Sequence, residues 1–146
     1  MEINNRKAHH DYFVLETIEA GIILTGTEIK SVRANGANIK DSYAIIKNNE
    51  AFLLNMHISH YENAGVFNHN ETRTRKLLLN KKEILKLKDK VTLNGYTLVP
   101  LKMYFNHGIL KVSLGVCKGK KNYDKRETIK ERDIKREISR DFKNNY

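Results

Sequence analysis

This chain has little that would cross-link it and little that would interrupt it. Its 146 residues include one cysteine, Cys117, one proline, Pro100, and no tryptophan. A lone cysteine excludes an internal disulfide, and Cys117 sits in an apolar run where a small hydrophobe fits. No apolar stretch approaches the roughly 18 residues of a spanning helix, so no membrane association is expected. The first residues, Met1-Glu2-Ile3-Asn4-Asn5-Arg6-Lys7, lack an apolar export segment, and the expected location is the cytoplasm. The phosphate-loop, dinucleotide, nucleophile-elbow and zinc-protease signatures are all missing. Cys117 lies beside no identifiable base, which argues against a thiol nucleophile. His57, His60 and His69 raise a metal site, but odd spacing at a strand end separates the first two, and no Asp or Cys cluster completes it. The expectation is a non-enzymatic protein with no metal and no cofactor.

What the chain does have is positive charge. Lys and Arg number 27 against 17 Asp and Glu, a net of +10. A hydrophobic fraction of 40% suits one globular body with a real core. The charge is concentrated at the end: residues 118–146 hold 11 Lys and Arg against 6 Asp and Glu. Wound as a helix, Lys125, Arg132, Arg136, Arg140 and Lys143 form one stripe, with Ile134, Ile138 and Phe142 roughly opposite. Three apolar residues bury too little to hold such a helix alone. The tail therefore reads as disordered when free and helical when an anionic surface receives it; a solvated surface helix packed by its isoleucines is the plain alternative. Clustered Lys and Arg point to a polyanion, of which nucleic acid is the commonest.

Along the chain, residues 1–9 read as a loose N-terminal arm. Strand pattern runs from His10 to Ile18, a turn follows at Glu19-Ala20-Gly21, and Ile22-Ile23-Leu24 resumes it. A short helix is expected over Thr27 to Arg33, with Thr27 as its N-cap. Ser42–Lys47 and Ala51–Ile58 flank Asn48-Asn49-Glu50 as a hairpin. Residues 59–74 read as a mobile loop, and Asn80 as the N-cap of a helix from Lys81 to Leu87. Two more strands, 97–105 and 109–116, meet at Asn106-His107-Gly108, with Pro100 at an edge or bulge. Six or so strands with two or three short helices suggest a mainly β fold, a small closed or partly closed barrel of the oligonucleotide-binding (OB) type over residues 10–117. An open α+β sheet is the competitor.

The residues suited to RNA fall into groups. Lys30, Arg33 and Lys40, with Ser31 among them, and Arg73, Arg75 and Lys76 are placed to meet phosphates. Asn38, Asp41, Ser42, Asn68 and Asn80 offer hydrogen bonds to base edges or 2′-hydroxyls, and His69 is a phosphate-facing candidate. Tyr43, Tyr61, Phe67 and Tyr123 are candidate stacking rings, with core packing as the competing role. Glu19 and Glu28 are acids in a basic chain, suited to caps, ion pairs or a base amino group.

Taken in order, these strings carry a resemblance: Asn5-Arg6-Lys7-Ala8, Glu19-Ala20-Gly21-Ile22, Thr25-Gly26-Thr27-Glu28-Ile29-Lys30-Ser31, Lys40-Asp41-Ser42-Tyr43, Thr72 to Leu79, Leu98-Val99-Pro100-Leu101, and Gly119-Lys120-Lys121-Asn122-Tyr123-Asp124-Lys125-Arg126. Together they resemble the SsrA-binding protein (small protein B) family across almost the whole chain. The resemblance implies a closed oligonucleotide-binding barrel and a partner, the tRNA-like end of transfer-messenger RNA. It further implies delivery of that RNA to stalled ribosomes, with the tail at the decoding site and mRNA channel. By motif it places Glu19, Leu78 and Asn80 on the RNA-binding surface. It assigns Gly119, Lys120, Lys121, Tyr123, Asp124, Lys125 and Arg126 to the ribosome-facing tail, which the stripe continues through Arg132, Arg136 and Arg140. A monomer is expected. The rival is a structural ribosomal protein with a basic extension.

Overall fold

A computed structural model describes residues 2–120. The chain opens with strand β1 (Glu2–Asn4) and helix α1 (Arg6–Asp11). The long β2 (Tyr12–Ile22) leads to α2 (Gly26–Arg33) and the two-residue β3 (Ala37–Asn38). A hairpin of β4 (Tyr43–Lys47) and β5 (Glu50–Leu54) precedes the short β6 (His57–Ile58). A 3-10 segment at Glu62–Phe67 leads into β7 (Arg75–Leu78) and α3 (Lys81–Thr92). Strands β8 (Thr97–Asn106) and β9 (Ile109–Gly119) end the described chain.

All the pairings are antiparallel. Strands β8, β4, β5, β7, β2 and β9 are neighbours in that order, and β9 pairs back onto β8, so six strands form a closed ring. Strand β1 lies along Lys102–Tyr104 of β8, and β3 pairs with β6 in a small separate sheet. Alternation along the strands sends one face inward. Leu53, Leu77, Met103, Val112 and Leu114 pack there with Val32 of α2 and Leu87 of α3. Gly115 keeps β9 thin where Leu101 crosses it, since a Cβ there would lie 2.8 Å from Leu101 Cδ1.

Local chemistry explains the elements and corrects several expectations. The hairpin turn is the two residues Asn48 and Asn49, both at positive φ (51° and 60°), a conformation asparagine tolerates and a tight hairpin requires. Asn80 caps α3 as expected, and the helix runs on to Thr92 rather than stopping at Leu87. Thr25, not Thr27, caps α2: its hydroxyl accepts from the Glu28 N–H, and Glu28 accepts from the Thr25 N–H in a reciprocal box. No turn breaks β2 at Glu19-Ala20-Gly21, because β9 pairs with it from Tyr12 to Gly21. Pro100 marks a bulge against β9, as a residue without an N–H should.

Residues 1–9 are not a loose arm in their described part. Asn5 is buried, its side-chain N–H groups donate to Ile39 O (3.0 Å) and Pro100 O (2.9 Å), and its Oδ1 accepts from the Ala8 N–H. One asparagine thus pins β1 and α1 to strand β8 and to the segment just after β3. The stretch 59–74 is likewise stitched, by Asn68 bonding the Tyr61 backbone at both N–H and C=O.

Candidate nucleic-acid interface

At the far end of β2, Glu19 is exposed and Gly21 stands opposite Leu78 of β7. A Cβ on Gly21 would lie 3.2 Å from Leu78 Cβ, so glycine lets the leucine lie close across the pair. Leu78 is 51% exposed, one of several large apolar side chains on the described surface. Two residues on, Asn80 leaves the ring and caps α3, its Oδ1 taking the Glu83 N–H at 2.8 Å. From the other side the Tyr104 hydroxyl donates to Glu19 Oε2, with Lys102 Nζ 5.5 Å from the Tyr104 ring. That bond to a carboxylate pushes the phenol pKa up to about 12, with burial and the Glu19 charge adding to it. The result is an anionic acceptor, a phenol, an ammonium and an apolar side chain at one end of the ring. Such a set of groups has the donors, acceptors and charge to meet base edges, ribose hydroxyls and phosphate.

A second group lies on α2 and after β3. Lys30 and Arg33 are exposed, one 5.5 Å from the Tyr61 ring and the other 4.4 Å from the Phe105 ring. Asn38 Oδ1 accepts from the Lys40 N–H at 2.8 Å, and Lys7 pairs with Asp41 at 2.9 Å. Lys76 is exposed and pairs with Glu50 at 2.5 Å.

Comparison with known proteins shows which family this chain is part of. Residues 2–144 match the family model described as SmpB protein. The chain is similar to an SsrA-binding protein of Desulfitobacterium hafniense, 60% identical over 96% of this chain and 90% of the relative. It is also similar to one of Staphylococcus aureus, 58% identical over 97% of this chain and 92% of the relative. The chain belongs to the SmpB family. Among solved structures it is similar to a chain from work described as "tmRNA-SmpB: a journey to the center of the bacterial ribosome". That likeness has a TM-score of 0.72 at 48% identity, covering 89% of this chain and 92% of that one.

Within this SmpB-family fold, several expected contacts face inward. Glu28 and Arg75 are both 0% exposed and paired, Nε to Oε2 at 2.5 Å, so neither can meet a phosphate or a base. Arg75 also donates to Met56 O (2.6 Å) and to Glu71 O (3.2 Å), fastening the chain on either side of the 59–70 stretch to the start of β7. Arg73 is shared: its Nη2 donates to Glu28 Oε1 at 2.6 Å while the side chain stays partly exposed. Burial alone would raise the Glu28 pKa. The bonds from Arg73, the Thr25 N–H and Arg75 outweigh it and hold the carboxyl at about 2. Burial also draws the Arg75 guanidinium down, against the pull of Glu28, but an arginine stays charged throughout.

Ser31 and His69 are buried as well. Ser31 Oγ fills the place where a Gly36 Cβ would be, 2.3 Å away, so it belongs to the turn after α2. His69 places one ring nitrogen on the Thr27 hydroxyl and the other on Ile58 O, both at 2.9 Å, so it ties a loop rather than facing phosphate. His57 is occupied by Glu71 at 3.2 Å, and among the described residues no group of three metal-ligating side chains occurs. Asn68 is spent on Tyr61, and the Phe67 side chain lies outside the described residues. Burial raises the Cys117 thiol to about 11, an inert thiol at neutral pH.

Gly119 and Lys120 are not free tail. Gly119 pairs with Tyr12, and Lys120 bonds Asp11 O through its N–H at 2.9 Å and His9 O through Nζ at 3.2 Å. Residues 118–120, expected in the tail, thus belong to the described body. Lys121, Tyr123, Asp124, Lys125, Arg126, Arg132, Arg136 and Arg140 lie outside the described residues. Tyr104 and Lys102 were missed by sequence reading: Tyr104 is 85 residues from Glu19, and nothing in its strand run marks it.

Proposed function

We propose that this chain binds the tRNA-like domain of transfer-messenger RNA and helps deliver it to stalled ribosomes for trans-translation. The observation that carries this is the 48% identity and 0.72 TM-score to a chain solved in a tmRNA-SmpB and ribosome context, over nearly the whole length. The six-stranded ring serves as an OB-type barrel, with Glu19, Leu78, Asn80, Tyr104 and Lys102 as its RNA surface and Lys30, Arg33 and Lys76 adding phosphate contacts. The segment after Lys120 is the ribosome-facing tail, ordered by the decoding site and mRNA channel. The protein acts as a cytoplasmic monomer and carries out no chemistry of its own. No described helix is long and apolar enough to cross a membrane.

The test is capture of RNA from a bacterial lysate on the full chain, with a tagging assay on a message lacking a stop codon. Enrichment of transfer-messenger RNA, with tagging lost and RNA binding kept on truncation after Lys120, is the expected result. Equal co-sedimentation with ribosomes in cells lacking transfer-messenger RNA would instead identify a structural ribosomal protein.

A further inference from the structure

At the opposite end of β2 from Glu19, a cleft of about 310 Å³ opens between α1, the segment before β4 and the start of β8. Its walls include Lys7, Lys40, Asp41, Ser42, Tyr12 and Tyr43. Glu19 lies seven positions beyond Tyr12 along β2, so the two places stand up to roughly 23 Å apart at about 3.3 Å per residue. They are separate surfaces.

Two features mark the cleft as built for a ligand. Ser42 is 4% exposed, and its Oγ is buried with no hydrogen-bond partner, an arrangement that normally costs stability unless something completes it. Tyr43, next to it, is a large ring left 38% exposed on the same wall. The charge pattern narrows the class. Asp11 and Asp41 sit among Lys7 and Lys40, and Lys7 holds Asp41 at 2.9 Å. A site in which two carboxylates offset two ammonium groups suits a bare anion poorly. It suits a ligand with an aromatic face, amino groups on one edge and phosphate on another.

We propose that this cleft receives a single unstacked RNA nucleotide. The base stacks on the Tyr43 ring, its edge bonds to Ser42 Oγ and the Asp41 carboxylate, and Lys40 meets the adjoining phosphate. The volume lies at the lower end of small-molecule sites, which fits one nucleotide and no more. The inference rests on the RNA-binding reading above and adds a second contact at the other end of the ring. The last described residue, Lys120, lies at that same end, its N–H bonding Asp11 O. A nucleotide held there is taken beside the root of the tail.

The experiment is a titration of isotope-labelled full-length protein with a mixed-sequence single-stranded RNA pentanucleotide, with inorganic phosphate as control. Amide shifts are expected at residues 7–12, 40–43 and 97–99. Tyr43→Ala should weaken pentanucleotide binding by about tenfold, the scale of one lost base stack, while Tyr43→Phe keeps it. Lys40→Ala, at an exposed position, gives a second loss that does not depend on the fold tolerating a change in β4. Shifts confined to the Glu19–Leu78–Asn80 end would overturn the cleft and leave the RNA reading standing. Phosphate reproducing the shifts unaided would show an anion site only and overturn it too. Failure to bind either the pentanucleotide or transfer-messenger RNA would remove both.

Discussion

Glu19 and Glu28 stand on either side of the turn from β2 into α2, and they meet opposite environments. Glu19 is exposed at the end of a strand, with one phenol as its partner. Glu28 is sealed between two arginines and a helix cap, without contact to water. Both are acids in a basic chain, and both invite the same functional guess. The difference is long-range: Arg75 reaches Glu28 from 47 residues away and brings the 56–71 loop with it. A charge that stabilises a fold is surrounded by its own chain. A charge that serves a partner is left partly unsatisfied by it.

The largest effect should come from breaking the buried side of this pair. Glu28→Ala or Arg75→Ala should destabilise the fold by about 3–5 kcal/mol, because each leaves an uncompensated charge in the interior. Denaturant unfolding measures it, and RNA affinity per folded molecule should not change. An affinity loss in fully folded Glu28→Ala would return Glu28 to the RNA surface.

Acid probes the same cluster without mutation. The Glu28 pKa is depressed from 4.5 to about 2, so its contribution is complete above about pH 4.5 and disappears as the pH falls towards 2. The shift corresponds to roughly 3 kcal/mol. Stability measured across that window should fall steeply in the parent chain and much less in Glu28→Gln.

On the exposed side, Glu19→Ala should change stability by less than about 0.5 kcal/mol, as surface substitutions usually do. It should still weaken binding to transfer-messenger RNA. Asn80→Ala sharpens the contrast, since it removes a helix cap worth about 1 kcal/mol as well as a contact. Filter binding beside thermal unfolding separates the two losses. If affinity in either variant falls only with the folded fraction, this end of the ring is structural.

The smallest effect is spectroscopic. Tyr104 titrates near 12 because it donates to Glu19. In Glu19→Ala its pKa should move down towards the ordinary value near 10, as followed by ring-carbon NMR. No movement would mean the two residues do not meet in solution.

What could be read from the sequence follows the range of the physics involved. The hairpin at Asn48-Asn49, the Asn80 cap and the β8–β9 pair are set by neighbours, and local pattern finds them. Helix α1 was hidden because it buries one apolar residue, Ala8, and owes its place to the Asn5 side chain. Strand β2 was cut short because Gly21 reads as a turn, whereas its role is to admit Leu78. At the candidate site, Glu19 and Asn80 were marked by their own chemistry, an acid in a basic chain and an amide at a segment end, and Leu78 only by motif resemblance. The inward turn of Glu28, Ser31, His69 and Arg75 depended on partners that spacing does not reveal. Tyr104 was invisible for the same reason.

The pairing of β2 with β9 has a consequence in time. Tyr12 finds its partner at Gly119, about a hundred residues later, so the ring cannot close while the chain is half made. At synthesis rates of 5–20 residues per second, β2 waits on the order of 5–20 s for the strand that covers its edge. During that wait it presents unpaired backbone and the side chains of Ala20 and Ile22, which the closed ring buries, the features that recruit stray strands. A protein read here as serving ribosomes that stop too early is itself one whose body a premature stop would leave open.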